Sequence, residues 1–160
     1  MIFLKPRFLL LLSLSFVLAI IPLPEFLGDL RPSWAFILVL YLQFFMPQYF
    51  NVAAVFLIGL CLDVLLVTTL GEHAFSMLLT TWLAASKARR FSFFSPTQQI
   101  ILVGFFCYVY QFLLIILDAF QGYHYEFWPG LCRAAMTMLL WPWFKSLADK
   151  ILLPKLFVHP

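Results

Sequence analysis

The amino-acid sequence predicts an all-α integral membrane protein, a bundle of six transmembrane helices joined by short loops. Hydrophobic residues make up 64% of the 160-residue chain and charged residues only 11%, whereas a soluble domain is about half apolar and about a quarter charged. A soluble core of this size cannot enclose so much apolar surface, since small domains have little interior. Six apolar segments follow one another without a repeat or a linker, which predicts a single membrane domain over residues 1–160.

The six apolar segments cover residues 8–23, 34–46, 52–69, 73–86, 99–119 and 127–144. Turn-forming residues such as Pro47, Gly71 and Pro96 separate them. A helix needs roughly 17–25 residues to cross a bilayer, so the second and fourth segments are short. They fit either short spans extended by interfacial aromatic residues or two re-entrant segments in a four-span protein.

The first segment has to be distinguished from a signal peptide. Lys5 and Arg7 precede it, as cations precede the apolar part of a signal peptide. No small-residue cleavage site follows, and Pro22 and Pro24 occupy the region where it would lie. We therefore expect an uncleaved first helix.

The positions of lysine and arginine predict the orientation. Cations precede the first segment, follow the fourth and follow the sixth: Lys5, Arg7, Lys87, Arg89, Arg90, Lys145, Lys150 and Lys155. With six spans all of them lie on one side, and the positive-inside rule assigns that side to the cytoplasm. We therefore expect a multi-pass protein with both termini cytoplasmic.

Motifs of catalysis and cofactor binding are absent from the sequence. It has no phosphate-binding loop, no HExxH, no GxSxG and no CxxC, so we expect no enzyme activity, cofactor or metal site. Its cations do not form a surface domain that could bind nucleic acid. The three cysteines lie in apolar runs and are expected to be packing thiols, and the histidines are expected to be solvated or interfacial: Cys61, Cys107, Cys132, His73, His124 and His159.

Two ionisable residues lie within apolar segments. Asp63 is expected near the membrane interior, where a carboxylate costs roughly 2.5–3.5 kcal/mol on insertion scales, and either function or a purely structural partner explains it. Arg133 either extends its guanidinium to the headgroups or pairs with Asp63. Each residue lies six positions from the outer end of its segment, roughly 9 Å deep, so we expect the two to interact.

Small and polar residues recur at helical spacing in three segments: Ser76, Thr80 and Ala84; Gly104, Cys107, Gln111 and Asp118; Gly130, Ala134 and Thr137. Such stripes let helices approach closely in lipid. They fit packing within the bundle or contact with a partner's helix, and self-association into a homo-oligomer is left open. In addition, Trp141 and Trp143 suit an interfacial aromatic belt, and Pro142 is expected to kink or end the last helix.

An ordered set of short motifs resembles the rod shape-determining MreD family. The motifs are Arg31-Pro32-Ser33-Trp34, Asn51-Val52, Gly59 through Asp63, Thr69-Leu70-Gly71 and Trp141-Pro142-Trp143. Their order and spacing match that family over nearly the whole chain, except at residues 121–135, so the pairing of Arg133 is not part of the resemblance.

The resemblance implies a non-catalytic protein of the bacterial inner membrane that binds MreC. It further implies membership of the cell-elongation machinery, with the RodA glycosyltransferase, the elongation penicillin-binding transpeptidase and, indirectly, the MreB filament, and a role in lateral peptidoglycan synthesis. The family is also similar in fold to the membrane-embedded substrate-binding subunits of energy-coupling-factor transporters. The alternative function is therefore a substrate-binding subunit of a vitamin or small-molecule transporter.

Overall fold

The computed structural model describes residues 6–21, 31–122 and 127–152, and within these ranges the regular structure is entirely helical. Six α-helices follow in order: α1 Pro6–Ile20, α2 Trp34–Phe45, α3 Val52–Leu66, α4 Glu72–Phe91, α5 Pro96–Phe120 and α6 Phe127–Leu152. A short 3₁₀ turn, Pro47–Tyr49, separates α2 from α3. The all-helical class and the order of the six segments are thus confirmed.

Helices α4, α5 and α6 are longer than the apolar segments that predict them, α4 and α6 by the most. Helix α4 continues to Phe91 and includes the expected loop cations of residues 87–90, and α6 continues to Leu152. The helix also passes through Pro142, so the expectation that this proline ends it is wrong. Hydrogen bonding continues past the end of the apolar pattern, because charged residues such as Lys and Arg are good helix formers.

Contacts between helices define their directions. In α5 and α6, Lys145 Nζ donates to Gln99 Oε1 at 3.1 Å, and Gly104 faces the side chain of Met138. Residue numbers along α6 therefore fall as those along α5 rise, so the two helices are antiparallel. Helices α3 and α4 form a second hairpin across the turn at 67–71.

Helices α2 and α6 run in the same direction. The Ser33 N–H, just before α2, donates to Thr137 Oγ1 at 3.2 Å, and the Tyr41 hydroxyl donates to Asp149 Oδ1. The residue numbers of α2 and α6 therefore rise together along the pair. Helix direction thus alternates from each helix to the next between α2 and α6.

Helix α2 occupies the centre of the bundle. Every residue from Ala35 to Phe44 is buried, and the helix packs against α1, α4, α5 and α6. It is apolar all round because it has no solvent-facing side. At 12 residues it is about 18 Å long.

The bundle's outer surface is apolar. Large hydrophobic side chains are exposed on several helices, among them Leu10, Leu57, Phe105 and Leu139. Helix α5 is long and apolar enough to cross a membrane, whereas α1, α2 and α3 are apolar but shorter. Exposed apolar surface of this extent is unusual for a monomeric soluble protein.

The three small-residue stripes lie inside the bundle. Ser76, Thr80 and Ala84 are all fully buried, as are Cys107 and Gln111 of α5 and Gly130, Ala134 and Thr137 of α6. Gly104 and Asp118 of the α5 stripe are only half-buried, so packing within the bundle accounts for most positions of the stripes.

An aromatic cluster fills the end of the bundle where α4 finishes; we define it as Phe44, Phe45, Phe91, Phe94 and Trp141. The rings of Phe44 and Phe91 stack with centroids 3.9 Å apart, and those of Phe91 and Trp141 meet edge to face at 6.1 Å. Trp141 is 1% exposed, so its expected place in an interfacial belt is wrong. Trp143, two residues on, is 78% exposed.

Candidate functional site

Asp63, near the end of α3, is fully buried, and its carboxylate holds the start of α4. Oδ2 accepts from the Gly71 N–H at 2.8 Å, and Oδ1 accepts from the His73 N–H at 2.8 Å. The Thr68 hydroxyl donates to Oδ1 at 3.3 Å. The carboxylate therefore caps a neighbouring helix.

This cap replaces one that the local sequence does not supply. Gly71 is the N-cap residue of α4, with φ of 97°, and has no side chain to accept the free N–H groups. Glycine adopts this left-handed conformation without a steric penalty. The N-terminus of a helix also attracts negative charge, so Asp63 is stabilised where it lies. The buried Asp63 was explained either by a function or by a structural partner, and these hydrogen bonds support the structural explanation.

The side chain that contacts the Asp63 carboxylate is that of His73, and the expected direct pair with Arg133 is wrong. His73 Nδ1 lies 2.9 Å from Asp63 Oδ1, and the His73 side chain is only 12% exposed. No carboxylate oxygen of a described residue lies within 4.0 Å of a guanidinium nitrogen of Arg133. Equal depth alone does not bring two side chains into contact, and His73, the second residue of α4, contacts the Asp63 carboxylate instead. His73 was expected to be solvated or interfacial; its burial contradicts the first, and the second stays a prediction.

Gly59 lies one turn before Asp63 and brings α3 against α4. A Cβ atom at Gly59 would overlap the backbone of Ala74. Helices approach this closely only where small residues meet. Gly59 and Asp63 thus belong to one face of α3, which fixes the hairpin by close packing and by hydrogen bonds.

A cavity of about 470 Å³ lies beside this hairpin. Its polar walls come from the segment before α2, the start of α4, α5 and α6, and include Arg31, Ser33, Glu72, Gln111, Asp118 and Arg133. Pro32 and Trp34 also line it. We call this region the polar cavity. It brings together Arg31, Gln111 and Arg133, which sequence reasoning had placed on separate segments.

Ser33 connects three helices at the edge of the polar cavity. Its Oγ accepts from Gln111 Nε2 at 2.8 Å, and its N–H donates to Thr137 Oγ1. Arg31 Nη1 donates to the Ala19 carbonyl at the end of α1, at 3.3 Å. The segment of residues 31–33 is therefore held by α1, α5 and α6 together.

Polar atoms in the cavity remain without partners. Gln111 is 3% exposed, and its Oε1 is buried without a hydrogen bond, as are the Nε atoms of Arg31 and Arg133. Buried polar groups are nearly always satisfied, so these atoms mark the cavity as unusual within the described chain.

Two acidic side chains face each other in the same cavity. The Glu72 carboxyl group is hydrogen-bonded to that of Asp118, and it also lies close enough to Asp63 for electrostatic repulsion. The described residues place no cation within 4.0 Å of either group. Two carboxyl groups this close favour a positive charge placed between them.

Other residues singled out in the sequence have local roles. The Asn51 side chain caps α3 by accepting from the Ala53 N–H at 2.9 Å. The three cysteines are free, with Cys107 buried and Cys61 exposed. Among the described residues, no three His, Cys, Asp or Glu side chains form a group that could hold a metal ion. His124 and His159 lie outside the described residues.

Sequence reasoning missed His73, Ser33 and the Glu72–Asp118 pair. No local pattern points to His73, but one signal indicates the cap: Gly71 at the N-cap position leaves the first turn of α4 without a side-chain acceptor, so a nearby carboxylate is the natural substitute. Ser33 and the acidic pair depend on contacts between distant segments and leave no local pattern.

Comparison with known proteins places the chain in a family. The sequence profile of rod shape-determining protein MreD matches residues 1–151. Rod shape-determining protein MreD of Haemophilus influenzae is 28% identical over 138 residues, which cover 86% of this chain and 85% of that protein. No solved structure matches, so the similarity to transporter subunits has no support. The chain belongs to the family of rod shape-determining protein MreD.

Proposed function

We propose that this protein is a non-catalytic component of the bacterial cell-elongation machinery that binds MreC and helps to regulate lateral peptidoglycan synthesis. The observation that carries the proposal is the family match over residues 1–151. The similar protein from Haemophilus influenzae is named for the determination of rod shape, and the alignment covers most of both chains. The RodA glycosyltransferase, its transpeptidase and, indirectly, MreB are the further partners that membership of this machinery implies.

A partner's helix would pack on the outward faces of the bundle. The small-residue stripes, which were the alternative contact, are already enclosed by the chain's own helices. The outward faces carry exposed residues such as Leu10, Phe56 and Phe105, and they are where MreC and lipid compete for contact. Substitutions in the stripes would therefore act on this interaction through the stability of the bundle.

The proposed topology has six spans in the inner membrane with both termini cytoplasmic. The alternating helix directions support it, because they bring the ends of α4 and α6 to one side together with Arg89, Arg90 and Lys150. In a cysteine-free variant, an impermeant maleimide added from outside should label a single cysteine at Leu70, near Glu72, or at Gly122, because both positions are exposed. It should not label one at Arg89, and labelling at Arg89 would contradict the six-span topology.

Depletion of the protein tests the function. Cells should lose their rod shape and become round or swollen while septation continues, because lateral wall synthesis is the process that fails. Tagged MreC should recover the protein from mild detergent, with an unrelated polytopic membrane protein as the control. Cells that stay rod-shaped, together with copurification of an ATPase pair and a vitamin, would instead establish the transporter alternative.

A further inference from the structure

The polar cavity holds charges of both signs that do not pair with one another. Arg31 and Arg133 line it together with Glu72 and Asp118. Within the described chain, no guanidinium nitrogen of Arg31 or Arg133 lies within 4.0 Å of a carboxylate oxygen. Buried charges are costly unless they are paired. An arrangement that keeps the basic and acidic groups apart inside one cavity leaves both available to a ligand.

The unpartnered atoms provide donors and acceptors for such a ligand. The buried Nε atoms of Arg31 and Arg133 are donors without acceptors, and Gln111 Oε1 is an acceptor without a donor. Gln111 cannot turn away, since its Nε2 is held by Ser33. A guanidinium group binds carboxylate or phosphate through a planar pair of N–H groups. An ammonium group between Glu72 and Asp118 would be attracted by both carboxyl groups and has donors for each of them.

We propose that the polar cavity binds a small zwitterion, which carries a phosphate or carboxylate group toward Arg31 and Arg133 and an ammonium group toward Glu72, Asp118 and Gln111. The volume of about 470 Å³ lies within the usual range for small-molecule pockets, about 300–1,000 Å³. The same chemistry occurs in free phosphoethanolamine or an amino acid and in the phosphatidylethanolamine headgroup. The inference is independent of the proposed contact with MreC, because it concerns the cavity alone.

Binding to the full-length purified protein tests the proposal. In delipidated detergent solution, radiolabelled phosphoethanolamine should bind saturably, and it should bind at least about tenfold more tightly than inorganic phosphate or ethylamine alone. A second arm uses nanodiscs, in which phosphatidylethanolamine should raise the melting temperature above that in phosphatidylglycerol. Binding of the free compound alone identifies a soluble ligand, and an effect of the lipid alone identifies a headgroup; either supports the zwitterion.

Variants assign the two halves of the ligand to the two sides of the cavity. Arg133→Ala should weaken binding of phosphoethanolamine by at least about tenfold, and Arg133→Lys, which keeps the charge but not the planar donors, should weaken it less. Asp118→Asn should reduce the preference for phosphoethanolamine over phosphate. Arg89→Ala is the control, since Arg89 is exposed at the opposite end of α4.

Three results would overturn the proposal. One is the absence of any effect of phosphoethanolamine and of phosphatidylethanolamine on the wild-type protein. Another is phosphate binding as tight as phosphoethanolamine binding, which would mean that no ammonium site exists. The third is unchanged binding in the folded Arg133 and Asp118 variants. The wild-type comparison decides the question even where a variant does not fold.

Discussion

The two ends of the helix bundle bury their side chains in opposite ways. At the end where α4 finishes, the aromatic cluster fills the interior with stacked and edge-to-face rings, and Lys145 closes it with its ammonium group 4.5 Å from the centre of the Phe45 ring. At the other end, the interior contains the polar cavity, with the unpartnered atoms of Arg31, Gln111 and Arg133.

The end with the aromatic cluster contributes mainly stability, whereas the end with the polar cavity keeps groups suited to a function. Close-packed rings contribute burial and ring contacts and have no unsatisfied groups other than the Trp141 Nε1. The polar cavity contributes few such contacts and retains polar groups that fall short of their usual hydrogen bonding. Unsatisfied groups of this kind persist where function requires them. The structural anchor at that end is Asp63, which stabilises the α3–α4 turn beside the cavity.

The largest expected effect is at the aromatic cluster. Phe91→Ala should destabilise the protein by about 3–5 kcal/mol, the usual result of emptying a buried aromatic site, because Phe91 is fully buried and contacts Phe44 and Trp141. Unfolding by added SDS in mixed micelles measures the change. The control is Phe93→Ala, whose ring is 87% exposed and should be nearly neutral. Equal losses at both positions would mean that the cluster does not dominate stability.

A smaller effect is expected at Asp63. Asp63→Ala leaves the N–H groups of Gly71 and His73 without an acceptor. Both hydrogen bonds are only part-buried, and loss of a helix N-cap costs about 0.5–2 kcal/mol. The same SDS titration measures it, with Cys61→Ala on the exposed side of α3 as the control. If Asp63→Ala instead leaves stability intact and abolishes rod shape, Asp63 acts on a partner and the comparison of the two ends fails.

The smallest effect is expected for Asp63→Asn. The amide keeps one oxygen, which can still accept from the Gly71 or the His73 N–H, but its NH₂ group cannot replace the second acceptor. Loss of stability should therefore be measurable but less than for Asp63→Ala, and protein level in the membrane should follow the same order. An Asn variant that loses as much stability as the Ala variant would show that the charge of Asp63 is the main contribution.

Local patterns predicted the helices and the internal stripes, because apolar runs and small-residue spacing are properties of consecutive residues. They also indicated that Asp63 and Gln111 are buried, since polar residues inside an apolar run rarely face lipid. Which side chain contacts Asp63 depends on which helices touch. The estimated membrane depth of Arg133 carries no information about helix contacts. His73 was missed because its position at a segment edge resembles that of a solvated residue.

Trp141 was expected at the membrane interface and is buried, because the sequence does not show which helices touch it. An indole near the end of an apolar segment fits a membrane interface or a protein core equally well, and only the neighbouring helices decide. Trp141 falls on the α6 face that also buries Ala134, Thr137 and Phe144, whereas Trp143 falls outside it. Helical phase within α6 distinguishes the two, but it becomes usable only once the helix is known to continue through Pro142.

The enclosed position of α2 imposes an order on biogenesis. Its neighbours α4, α5 and α6 are all synthesised after it, so a ribosome that has completed α2 has not yet made most of the surface that covers it. A helix of 12 residues is also shorter than the roughly 17–25 needed to cross a bilayer alone. Until translation reaches α6, Tyr41 has no Asp149 to receive its hydroxyl hydrogen bond. Nascent chains that stop before this point present an uncovered core helix to the quality-control proteases of the cell.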